Sequence, residues 1–171
     1  MQEVRITPAT RPEDIAAVRT LCWAYRDFLL AQSDRDRQIT ETFYPVPKYR
    51  DLMAALPEIH AAPEGIMLLA KDAQDIPLGC GMLQPILGDS AEIKRVYVTD
   101  AARGRGVARS LCTALVAHAR AQGHARVLLD TSTSLTAAQS LYARLGFTRR
   151  GPYQPIPDSV LPDLLFYELT L

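Results

Sequence analysis

Between Arg103 and Ala108 the chain reads RGRGVA, set between a strand-like run, EIKRVYVT at residues 92–99, and a segment in which Val107, Leu111, Leu115 and Ala119 recur at helical spacing. A strand that turns through two glycines into a helix implies a layered α/β arrangement. It also leaves the first N–H groups of the helix, at the positive end of its dipole, open to a closely approaching anion. Neither common nucleotide motif fits. No Gly-Lys-Ser/Thr follows, as a P-loop needs, and the glycines stand too close together for the dinucleotide fingerprint.

The flanking pattern agrees with such a sheet. Upstream, GIMLLAKDA, IPLGCGMLQPI and SAEIKRVYVT read as a meander of strands turning at AQDIP and LGDS. Downstream the pattern alternates: a helix from about Gly104 to Gln122, the strand ARVLLDTS, a helix across LTAAQSLYARLG closed by Gly146, then the strands FTRRGPY and DLLFYELTL. At the N-terminus EVRIT reads as a strand, and residues 10–32 as a long amphipathic helix with Thr10 as cap and Pro12 in its first turn. Residues 33–63 lose this periodicity. The charged SDRDR, the aromatic TFYPVPKY and a short helical YRDLMAALPEI read as an excursion over one face of a single domain, residues 1–171.

Composition excludes several function classes. The 19 basic and 19 acidic side chains cancel, so there is no global field to hold nucleic acid or an anionic membrane, and any anion site is local. Cys22, Cys80 and Cys112 are odd in number and set in apolar surroundings, as reduced buried thiols are, and no metal is expected. The opening MQEVRITPAT lacks a cationic start and an apolar core, and no apolar run approaches membrane-spanning length, so a cytoplasmic protein is expected.

The order of strand, RGRGVA turn, helix, the strand RVLLDT and a helix ending LYARLGF resembles the GNAT superfamily of acetyl-CoA-dependent N-acetyltransferases, over Met67 to Leu171. The family pattern Arg/Gln-x-x-Gly-x-Gly/Ala appears here as Arg103, Gly106 and Ala108, and residues 141–147 look like its Leu-Tyr-x-x-x-Gly-Phe segment. The resemblance implies a mixed, mostly antiparallel α/β sheet of about seven strands, its fourth and fifth strands splayed, flanked by about four or five helices. It implies acetyl-CoA as cosubstrate, bound within residues 90–147. The main chain of Val96, Tyr97 and Val98 then runs beside the pantetheine arm. Arg103, Gly104, Arg105, Gly106, Val107, Ala108 and Arg109 cradle the pyrophosphate, and Ser140 and Tyr142 lie along the far side. One departure is Leu135, where many members carry an asparagine.

Making an amide from a thioester needs a neutral amine, a donor for the developing oxyanion and a proton for the departing thiolate. Tyr142 is the candidate acid. Its spacing from Ala138, Leu141 and Leu145 also suits a tyrosine that packs on the sheet. Glu92 is the candidate base, and beside Lys94 it reads equally as half of an ion pair. The N–H of Val98 or a strand neighbour is the candidate oxyanion donor, and Arg95 receives no role. Acceptor contacts are expected from Trp23, Tyr25, Phe43, Tyr44, Tyr49 and Tyr153, with polar Asp27, Glu41, His60 and Asp158. No acidic groove awaits a basic peptide, which favours a small-molecule primary amine. A peptide acetyltransferase with an open groove between residues 33–63 and 151–163, and an acyl-CoA-binding sensor without catalysis, stand as alternatives. The apolar LLFYELTL reads as an exposed edge strand, from which a homodimer is expected.

Overall fold

The computed structural model describes residues 4–171; Glu3, first residue of the expected EVRIT strand, lies outside them. The strands are β1 (Arg5–Pro8), β2 (Ile66–Lys71), β3 (Pro77–Pro85), β4 (Ser90–Val98), β5 (Arg126–Ser132), β6 (Thr148–Arg150) and β7 (Leu164–Thr170). The helices are α1 (Pro12–Leu30), α2 (Asp34–Phe43), α3 (Val46–Ile59), α4 (Val107–Ala121) and α5 (Thr136–Arg144). One seven-stranded sheet runs in the order β1-β2-β3-β4-β5-β7-β6. Its pairs are antiparallel except β4 with β5, which are parallel and joined through α4.

Strand alternation divides the core between the two faces. Leu68, Ala70, Leu83 and Ile93 turn to the face covered by α4 and α5, where Leu111, Leu115, Tyr142 and Phe147 pack. Met67, Leu69, Cys80 and Met82 turn to the opposite face, under Val18 and Cys22 of α1 and Met53 and Leu56 of α3. The three cysteines are buried and free. Among the described residues no helix is long and apolar enough to cross a membrane.

Several expectations need correction. The excursion is helical almost throughout: Ser33 caps α2 by accepting the Asp36 N–H at 3.0 Å, and Pro47 sits in the first turn of α3, where its missing donor is harmless. Helix α1 starts after Arg11 instead of Thr10, with Arg11 bonded to Asp14 in the first turn at 2.9 Å. Helix α4 starts at Val107 instead of Gly104, because Gly104 and Gly106 hold φ of 75° and 76°. Strand β7 lies between β5 and β6, so it is no edge, and the reason for expecting a dimer there is gone.

Candidate active site

Parallel pairing of β4 with β5 runs only from Ser90 opposite Arg126 to Glu92 opposite Leu128, although the strands continue to Val98 and Ser132. Beyond Glu92 they part, and a cavity of 460 Å³ opens in the gap. A bulge in β4 accompanies the divergence. Cys80 pairs with Tyr97 but Met82 with Lys94, so Arg95 and Val96 together face Gly81. Arg95 takes φ of 51°, in the left-handed region. The extra residue breaks the in-and-out alternation, and Lys94 and Arg95 both reach the cavity wall.

The strand's remaining alternation decides which main-chain groups face the gap. Thr99 donates its N–H to the Leu78 carbonyl on β3 at 2.9 Å. The Tyr97 carbonyl also faces β3, where a Cβ on Gly79 would stand 2.6 Å from it. The main-chain groups of Val96 and Val98 therefore turn the other way, into the gap. Tyr97 differs from expectation: its main chain serves β3, and its ring packs on Tyr25 and Phe28 with centroids 5.8 and 6.1 Å away.

At the mouth of α4 nothing lies within 4 Å of a Cβ built on Gly104 or Gly106. Among the described residues the N–H groups from Gly104 to Arg109 meet no backbone acceptor, and the first bond of the helix runs from Ser110 to the Gly106 carbonyl at 3.0 Å. Arg105 and Arg109 are exposed around this concavity. Arg103 is held 4.9 Å over the Phe28 ring and 2.8 Å from Asp100, and with Ala108 it lines the cavity. The Val107 side chain is buried in the core, which leaves only its main chain to a ligand. Ser140 is exposed and off the cavity wall, because α5 presents Thr136, Ala137, Ala138, Leu141 and Tyr142 to it instead.

Tyr142 packs on the sheet and also stands on the cavity wall. Its ring meets Phe147 and Tyr167 with centroids 5.9 and 5.8 Å away. Burial, reinforced by Cys112 and other neighbours, pushes its phenol well above the ordinary tyrosine value, so it stays protonated.

Glu92 is buried where the strands part and is absent from the cavity wall. One oxygen accepts from Gln84 at 2.9 Å; the other accepts from the Tyr153 hydroxyl at 2.5 Å and stands 3.7 Å from Lys94 Nζ. With both oxygens engaged, the structure does not bring Glu92 forward as a base. The carboxylate on the wall beside Lys94 is Asp130, near the end of β5. Burial pushes its carboxyl above the usual range, with Lys94 drawing it back. Burial also works against charge on Lys94, but Asp130, Tyr44 and Glu92 outweigh it and leave that amine raised. Asp130 and Arg95 were both missed from sequence. An aspartate ending the apolar run VLL was a usable signal, whereas nothing in the sequence marks the bulge.

Helix α2 roofs the far end of the cavity. Burial raises the Asp36 carboxyl, but hydrogen bonds from Ser33, Ser132 and Ser134 outweigh it and hold the group below its ordinary value. The Ser132 bond, 2.7 Å long, ties α2 to β5. One residue before it, Arg35 donates to Asp163 at 2.7 Å and to the Ser159 carbonyl, which ties α2 to the loop before β7. Of the acceptor candidates, the aromatic Tyr25, Tyr44 and Tyr49 line the cavity; Trp23, Phe43 and Tyr153 and the polar Asp27, Glu41, His60 and Asp158 do not.

Comparison with known proteins follows the same lines. The model of the acetyltransferase (GNAT) family matches residues 33–147. An uncharacterized N-acetyltransferase of Schizosaccharomyces pombe is 35% identical over 104 residues, covering 59% of this chain and 64% of that one, so the match spans less than two thirds of that relative. The IAA acetyltransferase of Azospirillum brasilense is 34% identical over 113 residues, 65% of this chain and 71% of that one. Among solved structures, a GNAT-family acetyltransferase from Staphylococcus aureus Mu50 superposes with a TM-score of 0.75 at 14% identity, covering 98% and 99% of the two chains. The PaiA N-acetyltransferase of Thermoplasma acidophilum, solved with coenzyme A, superposes at 0.71 with 14% identity and 99% of each chain covered. At these identities the two structures speak for the fold alone.

Proposed function

This chain belongs to the GNAT family of acetyltransferases, and from that premise we propose that it moves an acetyl group from acetyl-CoA to the primary amine of a small, amino-acid-like molecule by direct attack. The observation that carries the small-acceptor reading is the pinning of α2. Its bonds to Ser132 and Asp163, which lie side by side at the ends of β5 and β7, hold residues 33–63 against the 151–163 loop and close the groove between them that a peptide would need to occupy. The Azospirillum brasilense relative, named for IAA, is consistent with an acceptor of that size.

The residues present fit acetyl-CoA. Open space at Gly104 and Gly106, with the unpartnered N–H groups up to Arg109, suits a pyrophosphate, and exposed Arg105 and Arg109 add charge. The free edge of β4 at Val96 and Val98 suits the amide-bearing arm. Acetyl-CoA supplies an activated thioester, whose acyl carbon gains the amine nitrogen as its bond to sulfur breaks. Asp130 takes the proton the nitrogen loses, and Tyr142 holds the proton the sulfur gains. The Val98 N–H is the donor for the developing oxyanion. Glu92 supports this arrangement by fixing Tyr153 and Lys94.

Thiol release from acetyl-CoA across a panel of small amines and peptides tests the reading, run against pH. An ionised Asp130 accepts the proton, so kcat/KM for a good small acceptor is expected to rise with pH through a value above the usual carboxylate range. Asp130→Asn is expected to lower the rate roughly 10²- to 10⁴-fold and to erase that limb. Turnover of peptides but not small amines overturns the acceptor class, and an unchanged limb in the variant removes Asp130 as base.

A further inference from the structure

The cavity wall carries four cations, and among the described residues three of them are engaged. Arg26 donates to the Tyr44 carbonyl at 2.9 Å, Lys94 stands beside Glu92, and Arg103 pairs with Asp100. The side chain of half-buried Arg95 makes no hydrogen bond or ion pair among the described residues. The β4 bulge, with its left-handed residue, is what brings this side chain to the wall. Arg95 shares the cavity wall with Tyr25 of α1, Tyr49 of α3 and Asp130 of β5; burial pushes all three up, and the charge of Arg95 is among the influences that draw each of them back.

Within the site as read above, we infer that the acceptor is an amino acid with an apolar side chain, its carboxylate seated on the Arg95 guanidinium while its amine faces Asp130. Around the roofed end three cations, Arg26, Lys94 and Arg95, stand against three carboxylates, Asp36 and Asp130 on the wall and Glu92 buried behind Lys94, so the charges cancel in sum. A zwitterion that meets Arg95 with its carboxylate and Asp130 with its amine leaves the balance unchanged, whereas a simple ammonium or a phosphate adds net charge to a poorly solvated space. The planar fork of a guanidinium matches a carboxylate in two parallel hydrogen bonds. The remaining wall, with Tyr25, Phe28, Ile39 and Tyr44, offers apolar surface for a side chain.

The experiment compares matched sets: each L-amino acid, its carboxamide and its decarboxylated amine, read by thiol release and corrected to the neutral-amine fraction. Apolar amino acids are expected to exceed their carboxamides in kcat/KM by roughly 10- to 100-fold. Arg95→Gln is expected to remove that preference through KM for the acid, leaving the carboxamide and the KM for acetyl-CoA unchanged; Arg95→Lys restores part of it. Glutamine is unbranched at Cβ, so the variant keeps the backbone demand of this position. If carboxamides and amines are acetylated as well as acids, the inference falls while the acetyltransferase reading stands. Equal losses for acid and carboxamide in Arg95→Gln also overturn it. If no amine releases thiol, both fall together.

Discussion

Tyr142 shows how one side chain can be legible in sequence and still hold two jobs. Its ring closes the core against Phe147 and Tyr167, and it also stands on the cavity wall, where the proposed reaction would draw on its proton. Tyr142→Phe removes the hydroxyl but little volume. It is therefore expected to keep acetyl-CoA affinity and melting temperature while kcat falls roughly 10²- to 10⁴-fold. The loss shrinks with a donor whose thiol is more acidic, because that sulfur leaves with less need of a proton; equal losses for both donors make Tyr142 a positioning residue. The residues named from sequence that the structure gathers at the cavity and the mouth of α4 share one property: a given type recurs at a given spacing, as in the Arg103, Gly106 and Ala108 series or the motif around Tyr142. Arg95 and Asp130 escape such reading because their place depends on a strand register and a neighbouring strand. Glu92 shows the reverse, a buried carboxylate that looks functional until its partners Gln84, Tyr153 and Lys94 are seen.

At the scale of elements, the alternation of strands and helices after residue 65 was readable because each segment buries one face and carries its period openly. Helix α2 was not, and α3 was legible only as the short helical YRDLMAALPEI, without its first turn. Prolines at 45, 47 and 57 read as loop punctuation, although two of them sit at the start of α3 and the third in its last turns. What fastens the end of α3 is His60, which donates from Nδ1 to the Leu83 carbonyl of β3 at 2.9 Å. Its Nε2 is buried with no partner, so protonation there creates an unsatisfied cation, and burial lowers the imidazole pKa to about 4. The sign follows: the unfolded chain takes up this proton near the ordinary histidine value and the folded chain does not. Stability from His60 is thus full above about 6.5 and is lost as pH falls towards 4, with a limiting slope of about 1.4 kcal/mol per pH unit. Urea titrations from pH 7 to 4.5 are expected to show this loss, and His60→Gln to flatten it. An equal slope in the variant assigns the acid sensitivity elsewhere.

For the molecule as a whole, the parted strands mean that the cavity lacks a partner along the free edge of β4, and an acyl-CoA laid there touches β4, the mouth of α4 and α5 at once. A ligand held only by the folded chain stabilises it by mass action, about 2.7 kcal/mol at 100 times its dissociation constant. For a chain of this size that is a rise of roughly 5 to 10 °C in melting temperature. Gly106→Asp separates binding from folding. The Cβ enters open space, and aspartate tolerates the left-handed φ of 76° better than most residues, so the fold survives. Its carboxylate, however, stands where the proposed pyrophosphate site meets the N–H groups at the mouth of α4, and like charges there repel. The variant is therefore expected to melt near the parent temperature without ligand and to show no rise with acetyl-CoA or with free coenzyme A. A full rise in Gly106→Asp moves the anion site away from this turn, and the absence of any rise in the parent protein at millimolar acetyl-CoA removes the cosubstrate itself.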